Sequence, residues 1–332
     1  MSGLILGIET SCDETAAAVV AGGRQVLSNV ISSQIDVHRE YGGVVPEIAA
    51  RKHVESISYI VREALKQAGI GLADVEGVSV SNGPGLVGAL LVGVSFAKSV
   101  AFARGMPLLG VHHIYSHICA NYLGSEWEPP FVCLVVSGGH THLVEVLDYH
   151  RVKVLGRTRD DAAGEAFDKV GRSLGLPYPG GPEIDKLAKL GDAYAIPFPR
   201  TTFEDSMDFS FSGLKSAVLQ YLQKNTDRNA ADTAASFQQA VIDVLVSRTI
   251  EAAKLTGLDS VALAGGVAAN GGLRDAMTEA CASHGIKLQL PGAEYCTDNA
   301  AMVASGGYYR LNIGKTDGFD LNAHPNMNLG GE

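Results

Sequence analysis

The sequence predicts an α/β protein of two lobes with an internal duplication, and three observations support this prediction. Its 332 residues exceed one small core and suit two domains of roughly 150 residues each. Two strand–turn–strand segments with small polar turns occur at 4–20 and 131–147. Helical spacing of apolar residues follows each of them, so each half repeats one strand-led unit.

The first half predicts a β-hairpin followed by alternating helices and strands. Residues 4–8 and 16–20 are apolar runs on either side of a polar turn, which is typical of two paired strands. Helical periodicity covers 44–69, and a short apolar run at 78–80 predicts a strand. A Gly-Pro-Gly turn then introduces a predicted helix over 85–104.

The second half opens with the same arrangement and continues with more helix. Residues 131–136 and 142–147 predict a hairpin whose turn contains Ser137, Gly138 and Gly139. Apolar spacing of three and four predicts helices over 161–174, 182–190, 212–223 and 230–255, and strands over 261–263 and 287–290. In such a two-lobed protein, the ligand is expected in the cleft between the lobes.

Charge and composition exclude several classes of protein. With 26 Lys and Arg against 36 Asp and Glu, the net charge of −10 disfavours binding of a polyanion by bulk electrostatics, so a nucleic-acid role would need a local basic patch or a partner. Five cysteines without a C-x-x-C pair argue against a disulfide framework or zinc knuckle. The start lacks signal-peptide features, and the apolar run 86–103 contains Lys98, so we predict a cytoplasmic protein with a buried helix there and no membrane association.

The sharpest local signal is a pair of histidines four residues apart. On a helix, His113 and His117 would present two imidazoles from one face to a metal ion, although two histidines on a partly exposed helix fit the same spacing. Asp298 is the best distant candidate for a third ligand, although Asp at such a position is more often a helix N-cap. A zinc peptidase would need Glu directly after the first His, where this chain has Ile114.

Glycine-rich turns are the second signal. The Ser137–Gly139 turn suits a phosphate, because its backbone N–H groups can face an anion, although a plain hairpin turn has the same composition. A cluster at 264–270 follows a strand and opens a helix, with Asn270 placed to bond a sugar or base. Asp168 could bind ribose hydroxyls or form a surface pair with Arg172.

Eight motifs in one order resemble the TsaD family, the bacterial tRNA N(6)-adenosine threonylcarbamoyltransferases. They are GIETSCDET at 7–15, GGVVPE at 42–47, GPGL at 83–86, HIYSH at 113–117, VSGGHT at 136–141, DAAGEAFDK at 161–169, SFSGLK at 210–215 and CTDN at 296–299. Several motifs in order are more specific than any one of them. The resemblance implies a duplicated ASKHA fold, like that of actin, hexokinase and Hsp70, with a nucleotide cleft between the lobes.

The resemblance also implies domain boundaries and site residues. We expect a first lobe over 1–125 with the metal-binding helix, a second lobe over 126–312 with a helical insertion, and a surface tail over 313–332. The implied ligands of one divalent ion, Fe²⁺ or Zn²⁺, are His113, His117 and Asp298. The implied binding positions for threonylcarbamoyl-AMP or an ATP-like nucleotide are Val135, Val136, Ser137, Gly138, Gly139, Asp168, Gly181, Asp185 and Asn270.

The activity implied by the resemblance is transfer of the threonylcarbamoyl group from threonylcarbamoyl-AMP to the N6 amine of adenosine 37, in tRNAs that read codons beginning with A. The implied partners are tRNA, the paralogue TsaB as a heterodimer, the ATPase TsaE, and TsaC as supplier of the intermediate. No residue stands out as the general base, and Asp13 and Glu14 are candidates. Family members often have Arg where this chain has Gly271.

Three other functions compete with this one. They are a metal-dependent glycoprotein endopeptidase, a non-catalytic ASKHA scaffold and a sugar kinase of the same fold. The missing Glu after His113 argues against the peptidase, and the presence of all three candidate metal ligands argues against a scaffold. The Asp arrangement of a sugar kinase is not recognisable.

Overall fold

The computed structural model describes residues 3–330 apart from 226 and 228. The chain forms two compact units, Met1–Glu128 with Thr297–Glu332 and Pro129–Cys296, called unit 1 and unit 2 below. Each unit contains one five-stranded sheet within the described ranges.

The strands and helices follow one another as the alternation of apolar runs and helical periodicity predicts. The strands are β1 (Leu4–Glu9), β2 (Glu14–Ala21), β3 (Gln25–Ser33), β4 (Gly77–Gly83), β5 (Leu108–His112), β6 (Phe131–Val136), β7 (Thr141–Val146), β8 (Val152–Arg157), β9 (Ser260–Ala264) and β10 (Lys287–Gln289). The α-helices are α1 (Ile35–Arg39), α2 (Pro46–Gln67), α3 (Val87–Arg104), α4 (His113–Cys119), α5 (Ala163–Ser173), α6 (Gly180–Ala188), α7 (Ser212–Lys224), α8 (Ala230–Thr256), α9 (Gly271–Ser283) and α10 (Ala300–Asn312).

The two sheets share one topology. Their strand orders are β3-β2-β1-β4-β5 and β8-β7-β6-β9-β10. In both, the central strand pairs antiparallel with its hairpin partner on one side and parallel with a later strand on the other. The same connectivity in both halves confirms the predicted α/β fold with an internal duplication.

Capping side chains fix the starts of three long helices. Asn229, Asn270 and Asn299 each accept a hydrogen bond from a backbone N–H of the first turn, at the starts of α8, α9 and α10. Because a short polar side chain satisfies an otherwise unpaired donor there, each of these helices begins at a defined residue. Asn270 is itself a predicted site residue, and Asn299 directly follows the predicted ligand Asp298.

In unit 1, α10 packs so closely on β1 that only glycine fits at the contact. A Cβ on Gly7 would lie 2.2 Å from the carbonyl oxygen of Ala300 and 2.8 Å from the amide of Ala304. Leu6 and Ile8, on either side of Gly7, are fully buried. The glycine therefore fixes where the first turn of α10 lies against the sheet.

Within the described part of the chain, one helix, α3, has the length and composition of a membrane span, with a mean hydropathy of 1.5. A helix that packs in the interior of a folded unit passes the same test. The prediction of a buried helix is correct for one face only. Leu90, Val94 and Ala97 are buried, whereas Val87 and Phe102 are exposed.

Three strands are absent from the prediction and present in the structure. β3 and β8 are the outer strands of the two hairpin sides, and β5 is a short parallel strand at the other edge of its sheet. Edge strands carry polar residues, as in QVLSNVISS of β3, because one side of the strand faces water. The apolar pattern of β3 and β8 is therefore weak, and an analysis based on apolar runs misses them. β5 is apolar and mostly buried, but it has only five residues.

The domain boundaries differ from the prediction at the C-terminal end. Residues 297–312, expected in the second lobe, lie in unit 1, because α10 packs on β1 and α4. The segment expected as a surface tail is mostly exposed, yet its backbone is tied to unit 1. Asp317 donates to the carbonyl of Leu108 at 2.8 Å, and His324 donates to the carbonyl of Asn82 at 2.7 Å.

Candidate metal centre and nucleotide-binding loops

Parallel pairing of β1, β4 and β5 brings three chemically important side chains to one edge of the sheet. Ile8 pairs with Val80, and Ser81 pairs with Val111, so the carboxyl ends of the three strands coincide. Glu9 is the last residue of β1, Ser81 lies near the end of β4, and α4 begins with His113 directly after β5. Ligand sites in open parallel sheets form at such carboxyl edges.

The predicted metal ligands lie together in unit 1. Nε2 of His117 is 3.2 Å and Nε2 of His113 is 3.6 Å from Oδ1 of Asp298. One ligand atom from each of the three residues falls within a set no wider than 4.8 Å. The predicted spacing on one helix face is confirmed, because both histidines lie on α4 with ring centroids 4.8 Å apart.

The geometry and the donor set fit a tetrahedral divalent ion. Ligand atoms at about 2.1 Å from such an ion lie about 3.4 Å from one another, close to the two nitrogen–oxygen distances observed here. His117 is fully buried, and within the described ranges neither ring nitrogen has a partner in hydrogen-bond geometry, although Nε2 lies 3.2 Å from the Asp298 carboxylate. A buried imidazole without a hydrogen bond is costly unless something else satisfies it, and a bound ion would do so.

Asp298 is not the N-cap of α10. The cap is the next residue, Asn299, whose Oδ1 accepts from the amide of Met302 at 3.0 Å. The carboxylate of Asp298 therefore faces His113 and His117 instead of the helix end. The sequence left open whether Asp298 is a metal ligand or a helix N-cap, and the geometry is compatible with the metal ligand.

Glu9 is a site residue that the motif analysis missed. Its carboxylate is fully buried and lies 3.2 Å from Nδ1 of His113, on the side of the ring opposite Asp298. Burial alone would raise the pKa of Glu9, but the charge of His113 and the hydrogen bonds from His113 and Ser81 lower it overall. The only signal in the sequence is an acidic residue directly after four buried apolar ones, which breaks the apolar pattern of β1.

Two carboxylates also control the charge of His113. Burial alone would lower its pKa, but the negative charges of Asp298 and Glu9, together with the hydrogen bond to Glu9, raise the pKa of His113 to about 9. In the metal-free protein His113 is therefore protonated at neutral pH. A metal ion must displace the Nε2 proton to bind there.

We expect the apparent affinity for Zn²⁺ to rise with pH up to about pH 9. Below the raised pKa of His113 each bound ion releases about one proton, so the apparent dissociation constant falls about tenfold per pH unit between pH 7 and pH 9. Competition with a chromophoric chelator measures this slope, and calorimetry in buffers of different ionisation enthalpy counts the proton. A flat affinity over this range would contradict the protonated state of His113.

The two candidate bases follow the β1 strand. Asp13 is buried, and Glu14 begins β2, where it accepts from the hydroxyl of Ser33 at 3.2 Å. Burial and the negative charges of Asp13 and Asp298 raise the pKa of Glu14 well above its ordinary range. Glu14 therefore holds a proton to a higher pH than an ordinary glutamate does.

In unit 2, the glycine-rich turns also lie at the carboxyl ends of neighbouring parallel strands. Val135 of β6 pairs with Ala264 of β9, so the turns after both strands share one edge. A Cβ on Gly265 would lie 2.3 Å from the carbonyl oxygen of Val136, and its φ of +88° also requires glycine. The VSGGHT turn and the 264–270 cluster are thereby held against each other.

The predicted nucleotide-binding positions fall on this edge and the helices beside it. Val135 and Val136 are buried in β6, and Gly138 and Gly139 are exposed in the turn. Asp168 of α5 accepts from the amide of Gly180 at 2.7 Å, which fixes the start of α6. Gly181 and Asp185 also lie on α6.

Asp185 and Asn270 are connected through Gln238 of α8, a residue not singled out by the sequence. Nε2 of Gln238 donates to Asp185 at 3.2 Å, and Oε1 of Gln238 accepts from Asn270 at 2.8 Å. Oδ1 of Asn270 also accepts from the amide of Leu273. The amide of Gln238 thus fixes which atoms of the two predicted site residues remain for a ligand.

Gly271, where the family resemblance leads us to expect Arg, faces Asp185. A Cβ there would lie 3.3 Å from Oδ2 of Asp185 and 3.7 Å from Nζ of Lys189. Lys189 itself pairs with Asp185 at 3.3 Å. A cation therefore already neighbours Asp185 without a side chain at 271.

Two carboxylates at the start of the DAAGEAFDK motif contact residues of the SFSGLK motif. Asp160 accepts from the hydroxyl groups of Ser210 and Ser212, at 2.5 Å and 2.6 Å. Asp161 pairs with Lys169 and Lys215. These bonds connect the start of α5 with the start of α7, so the acidic and serine residues of these two motifs have a structural role.

Comparison with known proteins identifies the family. The family profile described as TsaD, tRNA N6-adenosine threonylcarbamoyltransferase, matches residues 25–305. This chain belongs to the TsaD family. It is 58% identical to the tRNA N6-adenosine threonylcarbamoyltransferase of Symbiobacterium thermophilum over 332 residues, with 99% of this chain and 97% of the relative covered. It is 55% identical to the protein of the same name from Clostridium perfringens strain ATCC 13124, with 98% of each covered.

Solved structures at low identity support the fold of this TsaD family member. HypF from T. kodakarensis superimposes with a TM-score of 0.66 at 15% identity, over 93% of this chain and 48% of that one. Component A of (R)-2-hydroxyglutaryl-CoA dehydratase from Acidaminococcus fermentans gives a TM-score of 0.53 at 15% identity, over 93% and 99%. These neighbours are ASKHA-type proteins, so the predicted fold class is confirmed.

The family assignment and the structure both argue against a zinc peptidase. The residue after His113 is Ile114, which is 1% exposed and packs in the interior of unit 1. A catalytic Glu would have to occupy that position in the HExxH motif. The chain thus has a histidine pair without the base that the peptidase mechanism requires.

Proposed function

We propose that this chain transfers the threonylcarbamoyl group from threonylcarbamoyl-AMP to the N6 amine of adenosine 37 in tRNAs that read codons beginning with A. The observation that carries the proposal is 58% identity, across nearly the whole length of both chains, to a tRNA N6-adenosine threonylcarbamoyltransferase. The ordered motifs and the clustered His113, His117 and Asp298 support it.

The reaction is an acyl transfer. The N6 nitrogen of adenosine attacks the carbonyl carbon of the carbamoyl group, the bond from that carbon to the phosphate oxygen breaks, and AMP leaves. The amine nitrogen gives up one proton. The protein must therefore hold the nucleotide, orient the carbamoyl group and accept a proton.

Unit 2 is proposed to hold the nucleotide. The backbone N–H groups of the turn at Ser137, Gly138 and Gly139 suit the phosphate, since two of these residues have no side chain to block an anion. Asp168, Asp185 and Asn270 suit the ribose and base as hydrogen-bonding side chains, and Gly181 leaves room beside them. Val135 and Val136 position the turn from β6.

Unit 1 is proposed to hold one divalent ion, Fe²⁺ or Zn²⁺, on His113, His117 and Asp298. An ion with three protein ligands keeps an open position and would act as a Lewis acid toward the carbamoyl or phosphate oxygens. Two imidazoles and one carboxylate are ligands that both metals accept. The protein's part is to present Nε2 of each histidine and to keep His117 away from water.

For the proton of the amine, Asp13 and Glu14 stay the candidates. Burial and neighbouring negative charge raise the pKa of Glu14, which makes its ionised form a stronger base than an ordinary glutamate.

The proposal extends to partners. With a net charge of −10, the chain would bind tRNA against its own overall field, so a protein partner that adds positive surface is physically reasonable. From the family resemblance we propose TsaB as the heterodimeric partner, TsaE as an associated ATPase and TsaC as the source of threonylcarbamoyl-AMP. The site of action is then the cytoplasm, where tRNA is modified.

The proposal is tested by supplying threonylcarbamoyl-AMP carrying labelled threonine, with unmodified tRNA and with TsaB and TsaE, and by analysing the nucleosides by mass spectrometry. The expected product is labelled threonylcarbamoyladenosine together with AMP. As a matched control, the same tRNA with guanosine at position 37 lacks the N6 amine and should accept no label. Label that enters the guanosine-37 tRNA equally, or no label at all with metal-loaded protein, would refute the assignment.

A further inference from the structure

Glu9 ends the central strand of unit 1 with a carboxylate in the protein interior. Its exposed fraction is 0%, and the residues before it in β1 are buried and mostly apolar. A buried carboxylate is costly unless hydrogen bonds satisfy it. The partners of Glu9 therefore indicate what the residue does.

Three donors from three different segments meet at this carboxylate. The amide of Ser11 donates to Oε1 at 2.5 Å. The hydroxyl of Ser81 donates to Oε2 at 2.5 Å, and Nδ1 of His113 lies 3.2 Å from the same oxygen. Because β1 and β4 are paired neighbours, the first two donors fix the carboxylate before the histidine is considered.

This arrangement determines which nitrogen of His113 faces Asp298. An ionised carboxylate only accepts hydrogen bonds, so Nδ1 must carry the hydrogen that faces Glu9. The hydroxyl of Ser11, 3.1 Å from Nδ1, can rotate to suit that choice. Nε2 is left on the opposite side of the ring, 3.6 Å from Oδ1 of Asp298.

We infer that Glu9 is a positioning residue for the metal centre: its carboxylate fixes the ring orientation and the Nδ1–H tautomer of His113 so that Nε2 binds the ion. The inference rests on the metal site of the proposed function and adds the residue that orients one ligand. Carboxylate partners of metal-bound histidines contribute about 10- to 100-fold to metal affinity. In this role Glu9 acts through His113 and is not itself a ligand of the ion.

The test compares Zn²⁺ affinities of the full chain by competition with a chromophoric chelator. Glu9→Gln keeps the size of the side chain but replaces one acceptor oxygen by a donor NH₂ group, so it cannot accept from all three donors. We expect Glu9→Gln to weaken Zn²⁺ binding by about 10- to 100-fold. Glu76→Gln is the matched control, because it makes the same replacement at another glutamate of unit 1, whose carboxylate accepts from the amide of Gly3 at the opposite end of β1, and its affinity should stay within about threefold of wild type.

A second measurement does not depend on the folding of any variant. In zinc-loaded wild-type protein labelled with ¹⁵N-histidine, the imidazole nitrogen shifts should report Nδ1–H and zinc-bound Nε2 for His113. The reverse assignment would overturn the inference. So would equal Zn²⁺ affinities of Glu9→Gln and wild type when His113→Ala loses binding.

The same experiments separate this inference from the proposed function. If His113→Ala bound Zn²⁺ as tightly as wild type, the metal site itself would fail, and the positioning role with it. If Zn²⁺ binding depended on His113 and Glu9 as expected but tRNA received no label, the positioning role would stand and the transferase assignment would fall.

Discussion

Replacing His117 by alanine is expected to abolish stoichiometric metal binding. His117 is fully buried, and among the described residues its ring nitrogens have no partner in hydrogen-bond geometry; Nε2 lies 3.2 Å from the carboxylate of Asp298, itself a proposed ligand. Removing one of three ligands should weaken Zn²⁺ binding by at least about 100-fold, more than loss of an orienting partner costs. Transfer to tRNA should fall by a similar factor at limiting metal.

Metal content after dialysis and a zinc competition titration measure the effect. Cys119→Ala is the matched control, since Cys119 is buried on the same helix, α4, and its loss perturbs packing without removing a proposed ligand. The control should retain about one equivalent of zinc. If His117→Ala retained one equivalent as well, the ion would have to bind elsewhere.

Replacing Gly7 by alanine is expected to cause a large loss of stability in unit 1. The added Cβ would lie 2.2 Å from the carbonyl oxygen of Ala300, and that atom belongs to the backbone and cannot rotate away. β1 and α10 would have to separate, at a cost of about 3 kcal/mol or more in the free energy of unfolding. Because Asp298 and Asn299 precede α10, weaker metal binding should accompany the loss.

Denaturant unfolding of the metal-free protein measures this cost. Gly213→Ala in α7 is the control, because the nearest non-local atom to its Cβ position is 3.9 Å away and alanine favours helix. We expect Gly213→Ala to be neutral or stabilising by up to about 1 kcal/mol. An effect of Gly7→Ala below about 1 kcal/mol would mean that the contact between β1 and α10 can relax.

The fold was predictable because the sequence contains two recognisable hydrophobic patterns. Apolar runs mark the buried strands β1 and β6, and spacing of three and four marks the long helices such as α2 and α8. The outer strands β3 and β8 were missed, since a half-exposed strand carries polar residues in place of an apolar run. Nothing local to residues 297–312 indicates that α10 returns to unit 1, because that depends on a contact with Gly7 almost 300 positions earlier.

The candidate site, too, was predictable from the sequence only in part. The i, i+4 spacing alone indicates that His113 and His117 share a helix face, and the structure confirms it. Asp298 could not be chosen over other acids from spacing, since its approach to the histidines depends on tertiary packing, and resemblance to the family supplied it. Glu9 and Gln238 were missed because each acts through other side chains, a role that leaves no spacing rule in the sequence.

The most direct test of the account is single-turnover transfer from threonylcarbamoyl-AMP to tRNA while metal-free protein, with its partners, is titrated with Zn²⁺ or Fe²⁺. Product is expected to appear in proportion to added metal, to reach a plateau at about one ion per chain, and to be absent in His117→Ala at the same metal concentration. Full product formation in verified metal-free protein, or in His117→Ala, would contradict a metal-centred transferase at His113, His117 and Asp298.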